Sequence, residues 1–175
     1  NMLDTNRFEE FISQYPIYEY RVLDAAEIQV RERVRTICKQ ECERYGTTWA
    51  CPPAVGTLEE CAARIHSYKS GIFFSSVAEV SDLMNMEEML STRDAHEELT
   101  CEVAKFLETF TLSTESCDLC EHCAYLDGKP CRFPERMHPC LESHGVVANE
   151  LVEKHSMEYN LGGNTILWFS LVLFR

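Results

Sequence analysis

The sequence predicts an α+β fold, an α/β sandwich with a small mixed or antiparallel sheet, flanking helices and two cysteine-rich loops. Three observations point there. Short runs rich in β-formers alternate with segments at helical spacing. A 175-residue chain that is 45% hydrophobic can bury one real core. Most of its ten cysteines fall into two blocks with irregular composition, which reads as loops on a folded frame. The whole of 1–175 is expected to form a single α/β domain, with cysteine-rich segments at 38–61 and 117–140.

Taken in order, Asn6 to Gln14 places Phe8, Phe11 and Ile12 on one helical face, and Pro16 stops it. Ile17 to Leu23, rich in Tyr, Val and Ile, reads as a strand. Asp24-Ala25-Ala26-Glu27 resembles a capping box opening a short helix, and Val30, Val34 and Ile37 carry a helical stripe to the first cysteine. Thr57-Leu58-Glu59-Glu60 is a second capping box, with a helix to about Tyr68. Gly71 to Val80 is a buried strand by composition. A long helix is predicted from about Leu83 to Phe110, with Leu99, Val103, Phe106 and Phe110 on its apolar face. Gly128, Pro130, Pro134 and Pro139 make the second cysteine block loop-like. Val146 to Lys154 reads as a helix. Met157 to Phe174 reads as a hairpin turning at Leu161-Gly162-Gly163-Asn164.

Charge narrows the function. The formal net charge of −13 argues against nucleic acid, which needs basic surface to neutralise phosphates. It argues equally against an anionic membrane surface. The longest apolar run, Ile166 to Phe174, is too short to span a bilayer. The opening NMLDTNRFEEF has no basic stretch followed by an apolar one, so a reducing, cytoplasmic setting is expected. Dense cysteines there mean metal rather than disulfides.

The sharpest signal is Cys117-x2-Cys120-x2-Cys123, with Cys131 following the turn-prone Asp127-Gly128-Lys129-Pro130. Three thiolates at every third residue let a tight loop curl round one face of a cuboidal cluster, as in bacterial ferredoxins. Arg132 and Lys129 would offset part of the cluster charge. Zinc is the alternative, but a tetrahedral site draws two ligands from each of two knuckles and has no place for the third thiol.

The first block reads Cys38-x3-Cys42-x8-Cys51-Pro52-Pro53, with Cys61 beyond it. Tyr45 and Trp49 could shield a centre from water, one of the levers on cluster potential. The spacing does not match the C-x3-C-x2-C loop of radical S-adenosylmethionine enzymes. Cys38, Cys42, Cys51 and Cys61 with Cys117, Cys120, Cys123 and Cys131 make enough thiolates for two [4Fe–4S] clusters. Cys140 competes with Cys61 as fourth ligand of the first. Cys101, within a helix, reads as a small core residue. His122 points away from the metal, and His138 and His144, flanking Cys140, are weak ligand candidates. His66, His96 and His155 read as surface or satisfied interior residues, and Met84, Met86 and Met89 as packing. No phosphate loop or Ser–His–Asp pattern is evident, so no catalytic residue is assigned.

At Tyr45-Gly46-Thr-Thr-Trp49-Ala-Cys51-Pro52-Pro53, Leu58-Glu-Glu-Cys61, Cys117-x2-Cys120-x2-Cys123-Ala-Tyr, Gly128-Lys-Pro130-Cys131-Arg-Phe-Pro134 and the closing Gly163-Asn164-Thr through Leu173-Phe174, the chain resembles the DUF2284 family of predicted metal-binding proteins. That family is found mainly in anaerobic bacteria and archaea. The resemblance implies a cysteine-bound metal or iron–sulfur centre and supplies no reaction. The family pattern often has Ser at the Cys140 position, which implies Cys61 rather than Cys140 as ligand. The expected function is electron transfer to or from a partner redox enzyme through two [4Fe–4S] clusters. The alternatives are a non-catalytic structural or sensing module holding zinc or one cluster, and a redox enzyme with an open cluster site.

Overall fold

The computed structural model describes residues 3–107 and 109–175 and is built on one antiparallel sheet. In chain order its elements are α1 (Thr5–Ile12), β1 (Ile17–Asp24), α2 (Glu32–Glu41), α3 (Leu58–His66), β2 (Ser70–Glu79), α4 (Met86–Leu107), β3 (Phe110–Leu112), α5 (Ala148–Lys154) and β4 (Thr165–Phe174). The strand order is β1-β2-β4-β3. Ile72 lies opposite Val172 and Phe73 opposite Leu171, while Leu112 flanks Leu171 on the other side. This is the expected α+β class.

Alternation along β2 and β4 divides the core into two layers. Phe73, Phe169, Leu171 and Leu173 face Ile65 of α3, Leu151 and Val152 of α5, and Leu141 and Val146 from the segment between β3 and α5. Ile72, Phe74, Val172 and Phe174 face Phe8 and Ile12 of α1 and Leu99 and Val103 of α4. A sheet covered on both faces needs apolar runs on both sides, which Ile72 to Phe74 and Leu171 to Phe174 supply.

Three local expectations change. No hairpin forms over 157–174: β4 pairs with β2 and β3, and Met157 enters the core beside Phe169. The reason is that β4 is apolar on both faces and needs long apolar neighbours, which the polar run Glu158 to Asn164 cannot provide. Phe110 does not close the apolar stripe of α4 but opens β3, where its ring stacks 5.9 Å from Tyr68. Glu108, inside the predicted helical span, lies outside the described residues. At Asp24 the cap is real, with Ala26 N–H donating to its carboxylate, but only a 3-10 turn follows. Glu27 is drawn instead to His155 and Lys154. The Thr57 capping box forms as expected at the start of α3.

Candidate metal centre

The second cysteine block is an excursion pinched at its base. Ser113 N–H donates to the Pro139 carbonyl at 3.0 Å, and Leu141 N–H returns to the Ser113 carbonyl at 2.9 Å. Cys117 N–H adds a bond to the His138 carbonyl. Everything between is loop and 3-10 turn, because prolines and Gly128 deny it a regular ladder. At its tip a turn over Ala124–Asp127 ends on left-handed Gly128, and Lys129 N–H bonds back to the Ala124 carbonyl.

This excursion brings all four of its predicted ligands to one place. Cys117, Cys120, Cys123 and Cys131 line a single cavity of about 400 Å³. The opposite wall comes from the first block, as Arg44 and Thr47 to Ala50. Arg44 donates to the carbonyls of Ser116 and Cys117, and the Trp49 indole N–H to the Lys129 carbonyl at 2.8 Å. The Trp49 ring meets Tyr125 edge-on at 5.1 Å. Trp49 therefore shields the second block's cavity rather than a centre of its own block. Arg132 lines the cavity as expected, its pKa raised by hydrogen bonding to Cys120. Lys129 contributes its carbonyl to Trp49, and the second cation lining the cavity is Arg44. Nothing local in the sequence could have named Arg44, whose partners lie more than seventy positions away.

Backbone N–H groups already address sulfur here. Phe133 N–H donates to Cys131 Sγ at 3.4 Å, and the Leu119 N–H opposes the rise in the Cys117 pKa that burial causes. Such donors favour thiolate and tune a bound centre.

The first block is assembled differently. Cys38 and Cys42 sit at the end of α2, where Cys42 N–H caps onto the Cys38 carbonyl. Cys51 is buried in the turn that follows, held by a bond from Gly46 N–H to the Pro52 carbonyl. Burial raises the Cys38 pKa, and the neighbouring Cys42, Glu142 and Cys51 add to it while Arg35 opposes. Cys140 is pushed up to about 12 by burial first, with Glu142 and Cys51 contributing and the Ser116 hydroxyl and Ser143 N–H opposing. Cys61 is fully buried on α3, with Arg35 Nη2 at 3.4 Å and Arg64 Nη1 at 3.8 Å from its sulfur.

The remaining candidates have ordinary partners. His122 pairs with Asp127, and His66 bonds the Ile28 carbonyl. His144 is buried against Arg64 and Ser143, and burial, then Arg64 and Arg35, lower its pKa to about 3. His96 is fixed between Ser76 and Ser170, its pKa lowered by burial to about 4. His138 is held by Glu97 at 2.6 Å; burial alone would lower its pKa, but hydrogen bonds to Cys101 and Glu97 push it up to about 10. Cys101 is thus half-buried beside His138 rather than a core residue. A cavity of about 1700 Å³ lies beside α4 and is lined by Cys101 but by none of the eight expected ligands.

A family model described as "Predicted metal-binding protein" matches residues 21–174, most of the chain. The chain belongs to the DUF2284 family. No curated protein matches it, and no solved structure does. Predicted metal binding is thus what the family description carries to this DUF2284 chain, with the metal unspecified. Among the described residues no three His, Cys, Asp or Glu side chains converge as a single ion requires. Four thiols line one cavity with two guanidinium groups to offset negative charge, a donor set of the kind a sulfur-ligated metal group uses. No described helix is long and apolar enough to cross a membrane.

Proposed function

We propose that this DUF2284 protein is an iron–sulfur protein, with one [4Fe–4S] cluster held by Cys117, Cys120, Cys123 and Cys131 and a second by the Cys38, Cys42 and Cys51 group with a further donor. The observation that carries the reading is the cavity of about 400 Å³ lined by all four second-block cysteines together with Arg44 and Arg132. Zinc would need its sulfurs about 2.3 Å from one point. A loop with thiols at every third residue around a wider space suits a cuboidal group better. When bound, such a group supplies one-electron exchange.

The protein's own residues set the conditions. Trp49, backed edge-on by Tyr125, limits water on one wall, and N–H donors from Leu119 and Phe133 stabilise anionic sulfur. Leu119, Leu126 and Phe133 line the cavity and are partly exposed, forming an apolar rim. An overall charge of −13 would steer a basic partner surface toward the protein. These features support electron transfer with a partner redox protein.

The test is anaerobic purification or reconstitution, followed by iron and acid-labile sulfide analysis and EPR of the reduced protein. About eight irons per chain, with a reversible reduced-cluster signal, are expected. Stoichiometric zinc without iron would overturn the cluster reading. Loss of fold on chelation with no reversible couple would replace electron transfer by a structural role.

A further inference from the structure

We propose that the fourth thiolate of the first centre is Cys140, not Cys61, so that its ligand set is Cys38, Cys42, Cys51 and Cys140. The inference rests on the iron–sulfur reading above and decides which parts of the chain build the second cluster site.

Cys61 is fully engaged without a metal. Arg35 and Arg64 stand at its sulfur, and its thiol points toward the carbonyls of Val55 at 3.6 Å and Gly56 at 3.9 Å. The Arg35 guanidinium also bonds the Gly56 carbonyl at 2.8 Å and the Ser143 carbonyl at 2.9 Å. Arg35 lies one turn before Cys38 on α2 and reaches Cys61 with its guanidinium, so a fixed cation stands at the Cys61 sulfur. Bringing Cys61 to the other thiols would break these bonds or unwind α3 from its capping box. Four neighbours at one buried sulfur describe a packed thiol.

Cys140 has the opposite surroundings. It is tethered by the bridge to Ser113 at the base of the second block, and so is fixed by β3. Its sulfur accepts from Ser143 N–H at 3.3 Å, a donor that suits a thiolate ligand. Ser116, next to the Cys117–His138 backbone bond, donates its hydroxyl to the Ala50 carbonyl at 3.5 Å, which brings the residue before Cys51 to the same base. The Cys38 thiol in turn reaches the Glu142 carbonyl at 3.9 Å, two residues beyond Cys140. Cys38 and Cys140 therefore border the same turn, and the Ala50–Cys51 turn meets the base of the second block at Ser116. The first centre is then closed by the segment that ends the second block, and Arg35 and Arg64 form a cationic layer behind it.

The experiment compares anaerobically prepared wild type, Cys140→Ser, Cys61→Ser and Cys61→Ala, reading iron, sulfide, EPR and melting temperature together. Wild type and the folded Cys61 variants should carry equal iron and the same EPR spectrum. Cys140→Ser should lose about half the iron, or show a three-iron signal when oxidised. Full iron and an unchanged spectrum in Cys140→Ser would overturn the assignment. So would equal loss in a Cys61 variant that melts as a folded protein. Iron in wild type that is confined to one cluster, lost with Cys123→Ser and indifferent to Cys140, would overturn the assignment while leaving the Cys117–Cys131 site intact. Absence of iron and sulfide from wild type would overturn both readings.

Discussion

The cysteines from 117 to 131 come from one short loop, whereas those from 38 to 61 are spread over the end of α2, a turn and the body of α3. In the loop, neighbouring residues meet because turns and prolines bend the chain, and four thiols reach one cavity. In the first block, helices fix where each side chain points. Cys61 is carried into the core, while Cys140, distant in sequence, is brought to the turn that the Cys38 thiol reaches. Sequence proximity gathers side chains in loops; between rigid elements, tertiary packing chooses them. The two regions are also interdependent, since Arg44 and Trp49 of the first block wall the cavity of the second.

The strongest way to break this comparison is Cys123→Ser. If the loop is a self-contained ligand set, about half of the iron should be lost while the first-block signal persists in EPR. Loss of all iron would mean that the two sites do not load separately.

Acid titration separates scaffold from loop. His96 and His144 have depressed pKa values of about 4 and about 3, so each is neutral when folded and takes a proton more readily when unfolded. Their stabilising contribution is complete above the unfolded value of about 6.5 and is lost as pH falls toward those folded values. Denaturant titrations should show a loss of about 2 kcal/mol per histidine between pH 6.5 and 5. His138 behaves in the reverse sense: its contribution is complete below about 6.5 and is lost as pH rises through about 10. A flat stability profile from pH 7 to 5 would contradict the buried, neutral histidines.

Gly145 tests how tightly the first block is seated. It is left-handed, with φ 75°, and an added Cβ would fall 2.6 Å from Leu58 Cδ1 and 3.2 Å from Arg31 N. Its carbonyl also accepts from Arg31 N–H. Gly145→Ala should cost about 3 kcal/mol in chemical denaturation, from backbone strain and the displaced Leu58. Arg44→Ala sharpens the claim that the blocks depend on each other. Losing its bonds to the Ser116 and Cys117 carbonyls should cost about 2 kcal/mol and speed chelator removal of metal from the second block. Thr57→Ala, which removes only the cap of α3, should cost about 1 kcal/mol and leave metal content unchanged, as melting and iron analysis together would show.

The sequence by itself determined the α+β class, the two long apolar strands, the Thr57 cap and the Cys117–Cys131 candidate loop. Each depends on neighbours within a few residues: strand composition, a capping side chain, or thiols at every third position. Tertiary structure decided the partners. The apolar faces of β4 required β2 and β3 as neighbours instead of a hairpin, and Phe110 joined the sheet because Tyr68 and the edge of β4 await it. Arg44 at the second cavity, the arginines around Cys61 and the position of Cys140 in the turn facing Cys38 depend on contacts between distant segments. Spacing along the chain carries no record of those contacts, because only packing of helices and loops against the sheet sets the distances between them.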